Sequence, residues 1–312
     1  PKRSAVVGAG PAGLAAAATL AARGHEVHLF EAADRIGGQF EMARRIPGKE
    51  EFEETLRYYA RQLELTGVNV HLATRVDAAQ LQAGGFDEVL LATGVTPRDP
   101  RIPGQNHPKV LSYVDVLARR KPVGPRVAIV GAGGIGFDMA EYLATGTDLG
   151  HASPSTDLPA WLREWGVADP EQQRGGVARP QPEPPAREVL LLQRKPGKHG
   201  ASLGKTTGWI HRAALKMKTG ERIAGANYER IGPSEQPGRV SLALSFGEQR
   251  RDAQVLDVDT IVLCAGQEPL RELQEPLQAA GLKVHLIGGA FEAGELDAKR
   301  AIDQGTRLAA TL

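Results

Sequence analysis

The sequence predicts an α/β protein of two three-layer units, each a parallel sheet flanked by helices, with the second unit inserted into the first. Three observations predict this. Short apolar runs rich in β-branched residues each stop at a glycine turn. The spacing Gly-x-Gly-x-x-Gly occurs twice, each time directly after such a run and before a helical stretch. Strand-like runs of the first kind then return after the second repeat is complete.

The first strand is Ser4-Ala5-Val6-Val7, ending at Gly8-Ala9-Gly10-Pro11-Ala12-Gly13. An alanine-rich helix is expected from Pro11 to Ala22, stopped by Gly24. The next strand, Glu26 to Phe30, ends at Glu31, which completes a right-handed β–α–β crossover. The pattern repeats from Arg126 to Val130, through Gly131-Ala132-Gly133-Gly134-Ile135-Gly136, into a helix reaching about Leu143. Its partner strand, Glu188 to Gln193, comes late. Residues 145–186 between them, rich in Pro, Gly, Ser and Asp, read as a long surface excursion with short pieces such as Leu158 to Leu162. Two more apolar strands, Glu88 to Gly94 and Thr260 to Gly266, each end in a small-residue turn, the first through Ala92-Thr93-Gly94, with Cys264 inside the second strand. A last strand, Val284 to Ile287, leads to Gly288-Gly289 and a closing helix from about Leu296. These are two Rossmann-like units. The outer one is expected over residues 1–108 and 268–312, the inner one over 109–267.

Bulk properties narrow the function. With 38 basic and 37 acidic side chains the formal charge is +1, so no electrostatic footprint for nucleic acid or an anionic membrane is expected. No apolar run reaches the length of a membrane span and no signal-peptide pattern opens the chain. The single Cys264 excludes an internal disulfide and any all-cysteine metal site within this sequence, and no metal site is expected. A cytoplasmic location is the default expectation. The chain opens on Pro1-Lys2-Arg3 without an initiator Met, and is expected to be a processed chain or a segment of something longer.

In the first loop Gly8 permits the tight turn, Gly10 lets the backbone approach a pyrophosphate, and Gly13 lets the helix pack close to the strand. The helix start then offers free N–H groups to phosphate oxygens. Glu31 sits where an acid accepts hydrogen bonds from a ribose and repels a 2′-phosphate, so this loop suits FAD or NAD and not NADP. The glycine pair Gly37-Gly38, followed by Gln39, can admit the extended ribityl–flavin part of FAD.

In the second loop Gly131, Gly133 and Gly136 repeat the spacing. Here the following strand ends in Gln193-Arg194-Lys195, an amide and two cations in place of an acid. Arg offers a planar fork of donors and Lys a point charge, so both suit the 2′-phosphate of NADPH. Gly204-Lys205-Thr206 resembles the end of a phosphate-binding P-loop. The Gly required five residues before Gly204 is His199, so an ATPase reading fails. A loop packing over NADPH fits better, with Trp209 either a stacking surface or plain core.

Beyond these motifs, several stretches resemble the bacterial NADPH-dependent 2,4-dienoyl-CoA reductases, within the flavoproteins that carry two dinucleotide-binding domains. They are Gly37-Gly38-Gln39-Phe40, Ile46 to Phe52, His107 to Tyr113, Gly204 to Arg212 and Leu296 to Gly305. The resemblance covers essentially the whole chain but only the C-terminal part of those enzymes. It implies an N-terminal (β/α)₈ barrel holding FMN and the acyl-CoA substrate, followed by a 4Fe–4S cluster, neither of which this sequence contains. It implies hydride transfer from NADPH to FAD here, with electrons passing on through the cluster to FMN. Carried over residue by residue, it implies FAD contacts at Ala12 (pyrophosphate), Glu31 (ribose), Gln39 and Lys49 (flavin side) and Val76 (adenine, by backbone). It also implies Gly289 and the N–H groups of Leu296, Asp297 and Ala298 at the flavin, and Arg194, Lys195 and Trp209 at NADPH. Many relatives have Asp at the position of Gly289, so the usual carboxylate contact to the ribityl chain is missing.

Hydride transfer needs geometry and electrostatics more than an acid–base side chain, so no catalytic residue is assigned. The leading expectation is an electron-input module. The alternative is a self-standing NADPH-dependent flavin reductase with a diffusible acceptor. A thioredoxin-reductase-like activity is disfavoured by the single cysteine, and a purely structural ADP-binding module by Arg194-Lys195.

Overall fold

Short apolar runs bounded by glycine have no polar alternate positions, so they belong inside parallel sheets covered on both faces. A computed structural model describes residues 1–294 and 297–312. Its first compact unit comprises Pro1–Arg44, Glu51–Thr96 and Gln267–Leu312, and its second Arg45–Glu50 and Pro97–Gly266.

The chain begins with β1 (Arg3–Val7), α1 (Pro11–Ala22) and β2 (Glu26–Phe30). It continues through α2 (Phe40–Ala43), α3 (Phe52–Thr66), β3 (Asn69–His71), α4 (Ala78–Ala83), β4 (Glu88–Leu91) and β5 (Val95–Pro97). The second unit adds β6 (Val110–Ser112), α5 (Tyr113–Leu117), β7 (Arg126–Val130), α6 (Gly134–Thr145), α7 (Leu158–Trp165), β8 (Glu188–Gln193), α8 (Gly208–Lys218) and β9 (Arg222–Ala224). It also holds β10 (Ala226–Pro233), β11 (Val240–Phe246), β12 (Arg251–Val258) and β13 (Thr260–Leu263). The chain closes with β14 (Gln267–Pro269), α9 (Gln274–Ala279), β15 (Val284–Leu286) and α10 (Ala298–Thr311).

The first unit's sheet has the order β15-β4-β1-β2-β3, the second unit's β6-β13-β7-β8-β9, and every pairing in both is parallel. Each glycine loop therefore follows the central strand, β1 or β7. Ala5 and Val6 of β1 and Val127 to Val130 of β7 are fully buried. Such residues each contribute about 1.5–3 kcal/mol when Val- or Leu-sized, which is why these runs fix the centre of each sheet. Helix α1 is nearly all alanine, and small side chains let a neighbour come close. A Cβ on Gly305 of α10 would stand 2.3 Å from the Ala12 carbonyl oxygen, so α10 crosses α1 almost backbone to backbone.

An antiparallel sheet, β10-β11-β12, lies between β9 and β13 in sequence and adds to the expected two-unit layout. Its alternating Val240, Leu242 and Leu244 join Ile231 and Val258 in one core with Val130, Leu192 and Ile261 of the parallel sheet. The expected surface excursion at 145–186 contains a real helix, α7, capped by Asp157 and stopped by Gly166. Ion pairs of the buried Arg187 and Lys218 pin it. Arg187 holds Asp148 at 2.8 and 2.6 Å, and Lys218 of α8 holds Glu164 of α7 at 2.6 Å. Removing one partner would strand a buried charge, so these pairs make the excursion part of the unit.

The long stretch of the second unit runs from Pro97 to Gly266, where the sequence places it over 109–267. Ile102 is in that unit's core, and the Ile231 N–H donates to the Pro103 carbonyl at 2.8 Å. Residues 45–50 belong there too. Ile46 is buried, and the Gly48 N–H donates to Ser155 Oγ at 2.9 Å. Among the described residues, no helix is long and apolar enough to cross a membrane.

Candidate functional site

The first loop is built from contacts that only glycine permits. Gly8 has φ +105°, and a Cβ there would lie 2.3 Å from the Ala92 carbonyl oxygen. A Cβ on Gly13 would lie 1.9 Å from the Gly8 carbonyl oxygen, so α1 presses directly on the end of β1. Gly38, at φ +54°, brings the following loop to within 2.9 Å of the Gly10 Cα, measured from the Cβ it lacks. The Gly37 N–H donates to the Ala9 carbonyl at 2.8 Å and locks the two loops together.

Helix α1 opens at Gly10 without a side-chain cap. Ala12 and Gly13 are buried residues whose N–H groups make no hydrogen bond among the described residues. Leaving a buried donor unpaired costs about 1–3 kcal/mol, so this is a site shaped for an acceptor. Glu31 is fixed at the end of β2. One carboxylate oxygen accepts from the Ala9 N–H and the other from the Ala33 N–H, both at 2.8 Å. Each oxygen keeps acceptor capacity for a ribose hydroxyl.

The rest of the rim is formed by neighbouring strands. The Ala92 N–H donates to the Val7 carbonyl at 2.8 Å, and Thr93 Oγ1 donates to the Leu270 carbonyl at 2.6 Å. Gly94 adopts φ +74° and its carbonyl accepts from the Leu270 N–H. Gly289 lies in the buried turn after β15, and its N–H makes no hydrogen bond among the described residues. Val76 packs with Ala5, Val7 and Leu81, leaving only its backbone to meet a base. Gln39 is half-buried at the start of α2. Asp297 caps α10 by accepting from the Arg300 N–H at 2.7 Å, and Ala298 is that helix's first residue. Leu296 lies outside the described residues.

Lys49, expected on the flavin side, belongs to the Arg45–Glu50 stretch. It lies in the second unit, where Nζ meets both carboxylate oxygens of Asp138 on α6, at 2.7 and 2.6 Å.

The second loop repeats the first. Gly131 has φ +112°, and a Cβ there would lie 2.2 Å from the Cys264 carbonyl oxygen. A Cβ on Gly136 would lie 1.9 Å from the Gly131 carbonyl oxygen, and Gly133 faces open space. Helix α6 also opens without a side-chain cap. By contrast α4, α5, α7 and α10 are all capped by Asp or Ser side chains.

At the end of β8 the chemistry reverses. Gln193 Nε2 donates to the Lys195 and Gly197 carbonyls at 2.9 and 3.1 Å and pins the turn. Arg194 and Lys195 are exposed and pair with no carboxylate among the described residues. Trp209 stands 58% exposed near the start of α8, so it is not core. His211, half-buried on α8, has its pKa lowered by burial. On α6, burial raises Glu141 to about 7, against the opposing pull of Lys218. Burial also pushes the Cys264 thiol far up, which leaves it a poor nucleophile. Among the described residues no group of three or more His, Cys, Asp or Glu side chains could hold a metal. Residue-level reading does not single out Gln193 as a turn clamp, nor Arg271, which binds the Ala290 carbonyl at 2.6 Å. A lone Arg in a polar connection carries no sequence signal of its own.

The model for the pyridine nucleotide-disulphide oxidoreductases matches residues 2–291. The chain belongs to this family. Its members bind FAD and NAD(P)H, so the chain is a flavin-dependent NAD(P)H oxidoreductase module. It is 39% identical over 301 residues to an NADH oxidase of Thermoanaerobacter brockii, a match covering 95% of this chain and 39% of that protein. It is 35% identical over 304 residues to a bilirubin reductase of Mediterraneibacter gnavus, covering 97% of this chain and 40% of that one. Among solved structures, a 2-naphthoyl-CoA reductase complex superposes with a TM-score of 0.78 at 24% identity, covering 100% of this chain and 40% of that chain. The chain thus spans about two fifths of the length of these relatives. Within the pyridine nucleotide-disulphide family this sequence has a single cysteine, so it lacks the pair that disulfide exchange requires.

Proposed function

We propose that this chain is the electron-input module of an NADPH-dependent 2,4-dienoyl-CoA reductase, with FAD held by the first unit and NADPH by the second. The observation that carries the nucleotide assignment is the opposed chemistry at two matching loops. Both present uncapped helix starts, but Glu31 stands at one ribose position and Arg194 with Lys195 at the other. A carboxylate accepts from a free 2′-hydroxyl, while a guanidinium and an ammonium attract a 2′-phosphate. The substrate class rests on the five stretches of family resemblance, and the spans of its relatives are in keeping with a further FMN and 4Fe–4S module.

When bound, the two cofactors supply hydride transfer between the nicotinamide and the flavin. The chain's residues bind and orient. Ala12 and Gly13 N–H groups would receive the FAD pyrophosphate, Glu31 the ribose, and the Val76 backbone the adenine. Gly38 and Gln39 would flank the ribityl side, and Ala92, Thr93, Gly94, Gly289 and Ala298 would shape the flavin end. Gly131, Gly133 and Gly136 would admit the NADPH pyrophosphate, with Trp209 offering an apolar face.

The test is an anaerobic visible spectrum of the purified chain, before and after one equivalent of NADPH, with NADH as control. Bleaching by NADPH and much less by NADH supports the reading. Bound FAD that neither nucleotide bleaches would overturn it. Bleaching followed by fast turnover with a free acceptor would favour a self-standing flavin reductase.

A further inference from the structure

The turn at Gly288–Ala290 follows β15, which pairs with β4, so it lies on the same rim as Ala92-Thr93-Gly94. The Ile287 N–H donates to the Leu91 carbonyl at 3.1 Å, and the Gly288 N–H donates to Gln304 Oε1 at 2.8 Å. Gly288, at φ +63°, comes so close to the first loop that a Cβ on it would stand 2.8 Å from the Ala12 Cβ. The turn therefore abuts the residue proposed to receive the pyrophosphate.

Three of its carbonyl groups are engaged. The Gly288 carbonyl accepts from the N–H groups of Phe291 and Glu292, each at 3.1 Å. Arg271 Nε donates to the Ala290 carbonyl at 2.6 Å, and a second Arg271 nitrogen donates to the Phe291 carbonyl. Arg300 donates to the Glu292 carbonyl at 2.6 Å. The buried Gly289 also offers an N–H that makes no hydrogen bond among the described residues. Arg271 itself pairs with no carboxylate among the described residues, so its charge is directed at two carbonyl oxygens.

Arg271 is also anchored at its base. Its neighbour Leu270 donates its N–H to the Gly94 carbonyl at 3.0 Å and accepts from Thr93 Oγ1 at 2.6 Å. The Leu270 backbone and the Arg271 side chain, adjacent in sequence, thus tie the Ala92–Gly94 turn to the Gly288–Phe291 turn.

We infer that Arg271 is a positioning residue for the flavin end of the FAD site, holding the Gly288–Phe291 turn so that the Gly289 N–H faces the cofactor. This rests on the FAD assignment proposed above. It offers a replacement for the carboxylate that Gly289 lacks. The turn presents a backbone donor, and a guanidinium one layer behind it adds positive potential without touching the flavin. Bidentate guanidinium contacts to carbonyls fix geometry as well as energy, and Lys, a point donor, would reproduce only part of this.

The test uses the 312-residue chain and its Arg271→Gln and Arg271→Lys variants, with Arg307→Gln as a control for charge loss at a remote exposed pair. FAD affinity is measured on the cofactor-stripped chain, the flavin midpoint potential on the loaded one, and thermal unfolding on both. Arg271→Gln is expected to weaken FAD binding roughly 10- to 100-fold and make the potential more negative. Arg271→Lys should recover part of each, and Arg307→Gln should match the wild type. The stripped chains should unfold within a few degrees of one another. Should Arg271→Gln fail to fold, Arg271→Lys decides, since wild-type affinity and potential in that variant overturn the inference. Wild-type values in Arg271→Gln overturn it as well, and leave the FAD assignment standing. A wild-type chain that binds no FAD removes both.

Discussion

At the end of β2, a carboxylate folds back onto its own glycine loop and accepts from the Ala9 N–H. At the end of β8, an amide folds away into the next turn, and the two cations after it stand free in solvent. The glycine loops ahead of these strand ends share a backbone. Gly13 and Gly136 would each bring a Cβ to 1.9 Å of the carbonyl oxygen five residues earlier. The two loops share a scaffold and differ in the charge at the second strand's end, which on the function proposed above would choose the nucleotide. A second contrast lies behind the loops. Helix α1 buries alanines and leucines, whereas α6 carries Asp138 and Glu141 into a network with Lys49, Lys218 and Glu164.

The largest effect should come from filling the loops. Gly13→Ala or Gly136→Ala forces a methyl into a carbonyl that cannot swing aside, and should cost about 2–3 kcal/mol or more despite alanine's better helix propensity. Denaturant titration of the two variants checks this. A loop that accepts alanine at no cost would break the equivalence of the pair.

Next is the cation pair. Replacing Arg194 and Lys195 together with Ala should raise the KM for NADPH on the order of 100-fold and leave that for NADH within about threefold, because two charge-assisted contacts are lost. Equal losses for both nucleotides would mean that the cations do not read the 2′-phosphate.

Smaller is the effect of the α6 network. Burial raises Glu141 to about 7 from an ordinary 4.5, so ionising it costs the folded state more than the unfolded one. The penalty is absent below pH 4.5, grows between 4.5 and 7, and is complete above 7. Glu141→Gln should therefore match the wild type near pH 4.5 and exceed it by about 1–3 kcal/mol at pH 8. Unfolding curves at the two pH values decide, and a pH-independent difference would rule out the buried charge as its cause.

The smallest expected change is at Glu31. Glu31→Gln keeps a neutral acceptor but loses charge, and should weaken FAD by about 1 kcal/mol while relaxing rejection of a 2′-phosphate. Calorimetry with FAD and with ADP-ribose 2′-phosphate would sharpen the contrast.

The sequence is most legible where burial is complete. Arg126–Val130 and Glu188–Gln193 form strands over the expected residues, because a short apolar run has few other places to go, and Glu26–Phe30 does so with only Val27 and Leu29 buried. Legibility fails where burial is partial. In β10 and β12 the outer residues are largely exposed, which hides the alternation that β11 shows in Val240, Leu242 and Leu244. At the sites, Gly8, Gly13, Gly38, Gly131 and Gly136 carry their own signal, since each needs a positive φ or a close backbone approach. Lys49 and Trp209 carry none. A lysine's partner lies wherever the fold puts an acid, here Asp138, and a tryptophan's exposure depends on what covers it.

The polypeptide passes between its two units at 44/45, 50/51, 96/97 and 266/267. No single cut can free either one. A protease acting once would leave a nicked protein still held by its core, and a gene fragment ending at any one of these junctions would encode an incomplete sheet or strip Ile46 of its cover. Heredity must therefore treat the pair as one unit, exchanged or lost together.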